Sequence, residues 1–218
     1  MARSGNNMEK SDKLGKKIGI MGGTFNPIHN GHLVTAQEAL SQFKLDKVIF
    51  IPTGDPPHKI KKEIADAEDR YIMTVIATSS NSNFFVSRME INRKDKSYTI
   101  DTVRQLKKMY GENSSLYFIT GADAILEILT WKNTSEIISL CKFIAATRPG
   151  YDLTRIEDLR KKLFSSSEAS YKKIYIMEIP ALSISSTDIR NRVKSGRPID
   201  YLLPEGVSNY ILKHELYK

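Results

Sequence analysis

Between Lys17 and Leu216 the chain alternates short β-branched or aromatic runs with longer segments of helical periodicity, and this alternation leaves few folds open. The strand-like runs are Lys17–Met21, Lys47–Ile51, Phe84–Ser87, Leu116–Thr120, Phe143–Thr147 and Ile174–Ile179. Helical segments lie between them at Gly31–Phe43, Ala67–Ser79, Thr99–Tyr110, Ala122–Leu129, Ser135–Leu140 and Leu153–Phe164, with two more near Ser185–Ser195 and Glu205–Leu216. Most strand runs are continuously apolar, the pattern of strands covered on both faces. Strands separated by whole helices cannot close as tight hairpins. They pair in parallel, through right-handed crossovers that place helices on both faces of the sheet. The expectation is an α/β fold built on a doubly wound parallel sheet. Ligands of such sheets bind at the carboxyl ends of the strands, near the point where strand order reverses, so the loop after the first strand is the first place to look.

The 218 residues suit one large domain or one domain plus a small appendage, and 40% apolar with 27% charged residues is ordinary globular composition. Residues 1–15 are polar and aperiodic and are expected to form a flexible leader; residues 16–218 are expected to form a single domain. No apolar run approaches the roughly 20 residues of a membrane span, and the polar start lacks the apolar core of a secretory signal, so a cytoplasmic location is expected. Cys141 is the single cysteine, set in an apolar run, which reads as buried core in a reducing compartment. Thirty-three Lys and Arg against 25 Asp and Glu give a net charge of +8 and favour anionic partners. The charges are interleaved, as in Arg155–Lys162, which reads as a solvated helix face, and no specific nucleic-acid surface is expected.

The loop after the first strand reads Gly22-Gly-Thr-Phe-Asn-Pro-Ile-His-Asn-Gly-His32. Gly22 and Gly23 let the backbone approach a phosphate, and the amides opening the following helix attract anions. The loop has neither the Gly-Lys-Ser/Thr ending of a P-loop nor the third glycine of the dinucleotide fingerprint. His29 and His32 stand three apart at the helix start, where both imidazoles could address one anion; half of a metal site, or capping and packing roles, use the same letters. Near the C-terminus, Ser185-Ser-Thr-Asp-Ile-Arg190 clusters hydroxyls at a helix start, with Arg190 one turn in and able to contact a phosphate. A plain capped helix with a solvated arginine is the other reading of that stretch.

Taken together, Gly22–Pro27 with His29-Asn-Gly-His32 and Ile184–Arg190 resemble the two signatures of the nucleotidyltransferase superfamily with a His-x-Gly-His motif. Within it, the bacterial nicotinate-nucleotide adenylyltransferase family is the best match, over Lys17–Tyr217. The resemblance implies a Rossmann-like fold and adenylyl transfer from ATP to nicotinate mononucleotide, with Mg2+ carried on the ATP phosphates. It implies ATP contacts from Gly22, Gly23, Thr24, Phe25, His29, His32, Ser185, Ser186, Thr187 and Arg190, with His29, His32 and Arg190 in catalytic roles. For the mononucleotide it implies Lys59, beside His58 in a stiff basic loop, with Thr99, Gly121, Asp123, Trp131 and Arg148. Trp131 would lie on the pyridine ring and Asp123 on ribose hydroxyls. Core packing for Trp131 and helix capping for Asp123 and Thr99 explain those residues equally simply. Many relatives carry Asp where this chain has Asn26. Sister transferases acting on nicotinamide mononucleotide, pantetheine phosphate or a glycerol phosphate, and a non-catalytic nucleotide-binding regulator, are the alternatives. A homodimer is compatible with the sequence but not specified by it.

Overall fold

The computed structural model of the chain describes residues 15–55, 64–93, 96–163, 173–180 and 183–218. Six parallel strands form one sheet: β1 (Lys17–Gly23), β2 (Lys47–Pro52), β3 (Phe84–Val86), β4 (Ser115–Gly121), β5 (Cys141–Thr147) and β6 (Ile174–Glu178). Their spatial order is β3-β2-β1-β4-β5-β6. The chain steps outward from β1 to β3, then returns to β4 on the other side of β1, so strand order reverses between β1 and β4. Eight α-helices are present among the described residues: α1 (Asn30–Gln42), α2 (Ala67–Thr78), α3 (Thr99–Tyr110), α4 (Ala122–Leu126), α5 (Thr134–Leu140), α6 (Thr154–Leu163), α7 (Ser186–Lys194) and α8 (Glu205–Lys213).

The period-two alternation of strand side chains divides the core in two. Ile18, Ile20, Ile49, Ile51, Leu116, Phe118 and Phe143 pack with apolar residues of α3 to α6. Met21, Val48, Phe50, Ile119 and Ile144 face the other way, onto α1, α2, α7 and α8. Helices therefore cover both faces, as the alternation of the sequence requires. Cys141 belongs to the first layer, and burial pushes its thiol up to about 12, so it stays protonated and inert.

The strand Phe84–Ser87 is the exception to the two-sided cover: β3 is the sheet edge, and Phe85 is 49% exposed with the Lys47 ammonium 5.0 Å from its ring. Two expectations are corrected. The segment Ala122–Leu129 is not one helix, because α4 stops at Leu126 and a 3₁₀ turn runs from Glu127 to Thr130. The tighter turn aligns residues three apart, which puts Ile125 and Ile128 together in the core, while the Thr134 hydroxyl takes the carbonyls of Ile128 and Trp131. Arg160 is not on a solvated face either: it half-buries against Glu157 and the Ile174 carbonyl.

Candidate active site

Two cavities open at the carboxyl ends of β1 and β4, where strand order reverses, and share Gly22 and Thr120 as lining residues. The first, about 480 Å³, lies between α1 and the ends of β4 and β5, and its wall includes His29, Gly31, His32, Asp123, Arg148 and Tyr151. The second, about 850 Å³, is bounded by Gly23, Thr24, Thr53, Glu90, Thr99, Trp131 and Lys132.

The two signature stretches meet across the chain. Ser186 donates its hydroxyl to the Pro27 carbonyl at 2.8 Å, and Arg190 donates from Nη1 to the Asn26 carbonyl at 2.9 Å. Both bonds span most of the sequence, so the start of α7 is fastened to the loop after β1. Ser185 caps α7 by accepting from the Asp188 amide at 3.1 Å. Arg190 also reaches the Thr187 hydroxyl at 3.4 Å. Of this stretch Ile184 lines the first cavity, whereas Ser185, Ser186, Thr187 and Arg190 line neither.

His29 caps α1 and is 7% exposed. Its ring lies 3.8 Å from that of His32, centroid to centroid. The His29 amide donates to Nδ1 of His32 at 3.2 Å, which leaves the His32 proton on Nε2 and makes that atom a donor. Phe25, held at φ 48° and 2% exposed, packs edge-on against His32 with centroids 5.1 Å apart. A Cβ on Gly31 would stand 3.0 Å from Nδ1 of His29, a tight contact that the ring would have to relieve by a few tenths of an ångström. Nδ1 of His29 is buried without a hydrogen-bond partner, and burial draws the imidazole down to about 4.

That depression has a measurable consequence. Between the unfolded value of about 6.5 and the folded value of about 4, the unfolded chain binds a proton that the folded chain does not, so stability falls as pH drops through this window. The expected slope from this group is at most about 1.4 kcal/mol per pH unit and fades as pH rises above about 6.5. Urea unfolding at pH 4.5 and 7 of the wild type and of His29→Gln checks it: the variant should lose that share of the pH dependence.

The residues expected to serve the mononucleotide divide between the cavities. Thr99 and Trp131 line the second; Gly121, Asp123 and Arg148 line the first, beside the histidines. Lys59 and its neighbour His58 lie outside the described residues. Neither Asp123 nor Thr99 is a cap: Gly121 and Tyr98 hold those positions, and Asp123 accepts instead from the Tyr151 hydroxyl at 3.0 Å. Trp131 does two things at once. Its ring meets Phe118 and Phe143 edge-on at 5.5 and 6.4 Å, and its remaining surface forms cavity wall. Lys132 beside it sits 4.3 Å from the Tyr98 ring.

Glu90, Arg70 and the partners of Asn26 were not visible in the sequence. Glu90 lines the second cavity at 8% exposure and accepts from the Thr102 hydroxyl at 2.6 Å. Burial pushes its carboxyl above the usual carboxylate range, against the pull of Thr102, Arg93 and Thr53. Asn26 is 3% exposed, and its side-chain oxygen accepts from the Ala65 amide and the Tyr217 hydroxyl. Both of these partners are donors, so the position needs an acceptor, which Asn supplies without a charge. Arg70, in the first turn of α2, carries no distinguishing pattern in the sequence beyond its place on the stripe shared with Met73 and Ala77, and it is 1% exposed.

A parallel sheet with paired cavities at its reversal point, one lined by imidazoles and an arginine, is an α/β fold whose binding edge suits anionic ligands. Residues 20–192 match the family described as cytidylyltransferase-like. The chain is 57% identical over 205 residues to a probable nicotinate-nucleotide adenylyltransferase of Thermoanaerobacter sp. (strain X514), covering 93% of this chain and 94% of that protein. It is 46% identical over 211 residues to the protein of the same description from Mycolicibacterium vanbaalenii, covering 97% and 96%. The chain belongs to the nicotinate-nucleotide adenylyltransferase family. In fold it resembles the Plasmodium falciparum nicotinic acid mononucleotide adenylyltransferase complexed with NaAD, with a TM-score of 0.74 at 22% identity over 93% of this chain and 97% of that one.

Proposed function

We infer that the chain transfers the adenylyl group of ATP to nicotinate mononucleotide, forming nicotinate adenine dinucleotide and pyrophosphate in NAD biosynthesis. The observation that carries this is the pair of cavities that share Gly22 and Thr120: two ligands seated in them meet at the end of β1. ATP belongs in the histidine-lined cavity and the mononucleotide in the Trp131 cavity, with their phosphates facing across Gly22. A phosphate oxygen of the mononucleotide attacks the α-phosphorus in line, the bond to the bridging oxygen breaks, and pyrophosphate leaves on the opposite side. Positioning and charge stabilisation are what such a transfer asks of a protein.

Nε2–H of His32 is the donor aimed at charge developing on the triphosphate. His29, neutral before ATP arrives, gains basicity beside the polyanion, because a neighbouring negative charge favours the imidazolium. Arg190 has five N–H donors, of which Asn26 and Thr187 engage two. Since Ser185, Ser186, Thr187 and Arg190 line neither cavity, they would meet outer phosphates only where the triphosphate extends past Ile184 toward the start of α7. Ser186, whose proton is held by the Pro27 carbonyl, would have to exchange that bond to donate. The amides of Gly22, Gly23, Thr24 and Phe25 complete the phosphate contacts. Asp123 and Arg148, on the histidine side, suit the ATP ribose and phosphates, while Thr99 and Trp131 suit the pyridine carboxylate and ring. Lys59 is assigned to the mononucleotide phosphate.

Magnesium fits this arrangement as an ion carried by the nucleotide. Imidazoles, hydroxyls and guanidinium groups match phosphate oxygens, Asp123 is the one carboxylate among the described lining residues of the first cavity, and no cluster of three His, Cys, Asp or Glu side chains occurs among the described residues. When bound, the ion would neutralise charge on the phosphates. No described helix is long and apolar enough to cross a membrane, and a cytoplasmic location suits the soluble substrates.

Side-by-side turnover of ATP with nicotinate mononucleotide, nicotinamide mononucleotide and pantetheine phosphate tests the assignment. Pyrophosphate release fastest with the first is expected; faster release with another acceptor reassigns the substrate, and release with none leaves a nucleotide-binding regulator. In the same assay Trp131→Ala should raise the KM for the mononucleotide by about five- to a hundredfold, the equivalent of roughly 1 to 3 kcal/mol of ring stacking, with the KM for ATP little changed. An unaltered mononucleotide KM would remove Trp131 from the pocket.

A further inference from the structure

Arg70 is the largest fully buried side chain among the described residues, and its acceptors are backbone. Nε donates to the Ala65 carbonyl at 3.0 Å, Nη1 to those of Thr24 and Thr53 at 2.8 and 2.6 Å, and Nη2 to that of Gly54 at 3.0 Å. These carbonyls come from the loop after β1, the loop after β2 and the turn leading into α2. The rigid fork of a guanidinium can satisfy such a divergent set, which a single ammonium cannot. Thr24 and Thr53 line the Trp131 cavity, Arg70 lies behind them, and no residue lining the histidine cavity bonds to Arg70.

We propose that Arg70 is a positioning residue for the acceptor substrate: by gathering carbonyls of the loops after β1 and β2 behind the cavity wall, it sets the spacing of Thr24 and Thr53, which line the cavity in which the mononucleotide would sit. The proposal rests on the reading of the Trp131 cavity as the acceptor site. Wild-type turnover with each acceptor tests that reading, and the variant below tests Arg70, so the two failures are distinguishable.

Arg70→Lys keeps the charge and loses the fork. With the acceptor that the wild type uses, its KM for that acceptor should rise at least fivefold while the KM for ATP stays within twofold. A residue that merely held the fold together would lower the melting temperature and the active fraction and leave both KM values in place; that outcome overturns the proposal, as does an equal rise in both. A second measurement needs no variant to fold. In wild-type protein labelled with ¹⁵N-arginine, the Nε–H signal protected from solvent exchange should shift on saturation with the mononucleotide and hold still with ATP alone. A protected signal that ignores the mononucleotide overturns the proposal as well.

Discussion

His32→Ala should lower kcat by about 10² to 10³ with little change in the KM for ATP, the usual loss when one donor to a transition-state oxygen is removed. The His29 amide donates to Nδ1 of His32 and so places the His32 proton on Nε2. Phe25, edge-on to the ring, limits its rotation. The donor is thus oriented before ATP binds, and an oriented donor acts without reorganisation as charge develops. The substitution also removes the partner of the His29 amide at the start of α1, a cap-like loss worth about 0.5 to 2 kcal/mol of stability. Single-turnover rates normalised to folded protein separate the two effects. A rate within threefold of wild type under conditions where chemistry is limiting would exclude His32 from the reaction.

Gly54→Ala should destabilise the protein and impair the acceptor site together. A Cβ on Gly54 would stand 2.3 Å from the Glu90 carbonyl oxygen and 3.0 Å from its carbonyl carbon, and neither atom can rotate aside. The loop after β2 must move away from residues 90–91, at about 1 to 3 kcal/mol for overpacking of this kind. For a chain of this length each kcal/mol is worth about 2 to 4 °C in melting temperature. The displaced loop carries the Gly54 carbonyl held by Arg70 and adjoins Thr53 and Glu90 in the second cavity, so the acceptor KM should rise as well. Calorimetry and initial rates read both effects. An unshifted melting temperature would show that this loop yields more easily than its contact with Glu90 allows.

The fold was legible in the sequence because each layer is written locally. Continuous apolar runs such as Lys47–Ile51 can be satisfied only in a strand covered on both sides, and the helical spacing of Ile100, Val103 and Leu106 buries one face of α3. The glycine loop, the two histidines and the capped start of α7 were legible for the same reason: each is a short contiguous pattern whose chemistry follows from neighbours in the chain. The 3₁₀ turn after α4 was not, since it depends on the distant core that draws Ile125 and Ile128 inward.

What the sequence alone determined, then, is the alternation of layers, the glycine loop after the first strand at the point where strand order reverses, and the hydroxyl-rich capped start of α7. The tertiary structure decided how the candidate site residues divide. It separated Asp123 and Arg148 from Trp131 and Thr99 into two cavities, brought Ser186 and Arg190 onto the backbone of Pro27 and Asn26, and buried Arg70 against carbonyls of three segments. The reason is physical. Hydrophobic periodicity acts along the chain and is readable one segment at a time, whereas a buried polar group must find its partners wherever the packed backbone leaves them, and those partners lie far away in sequence.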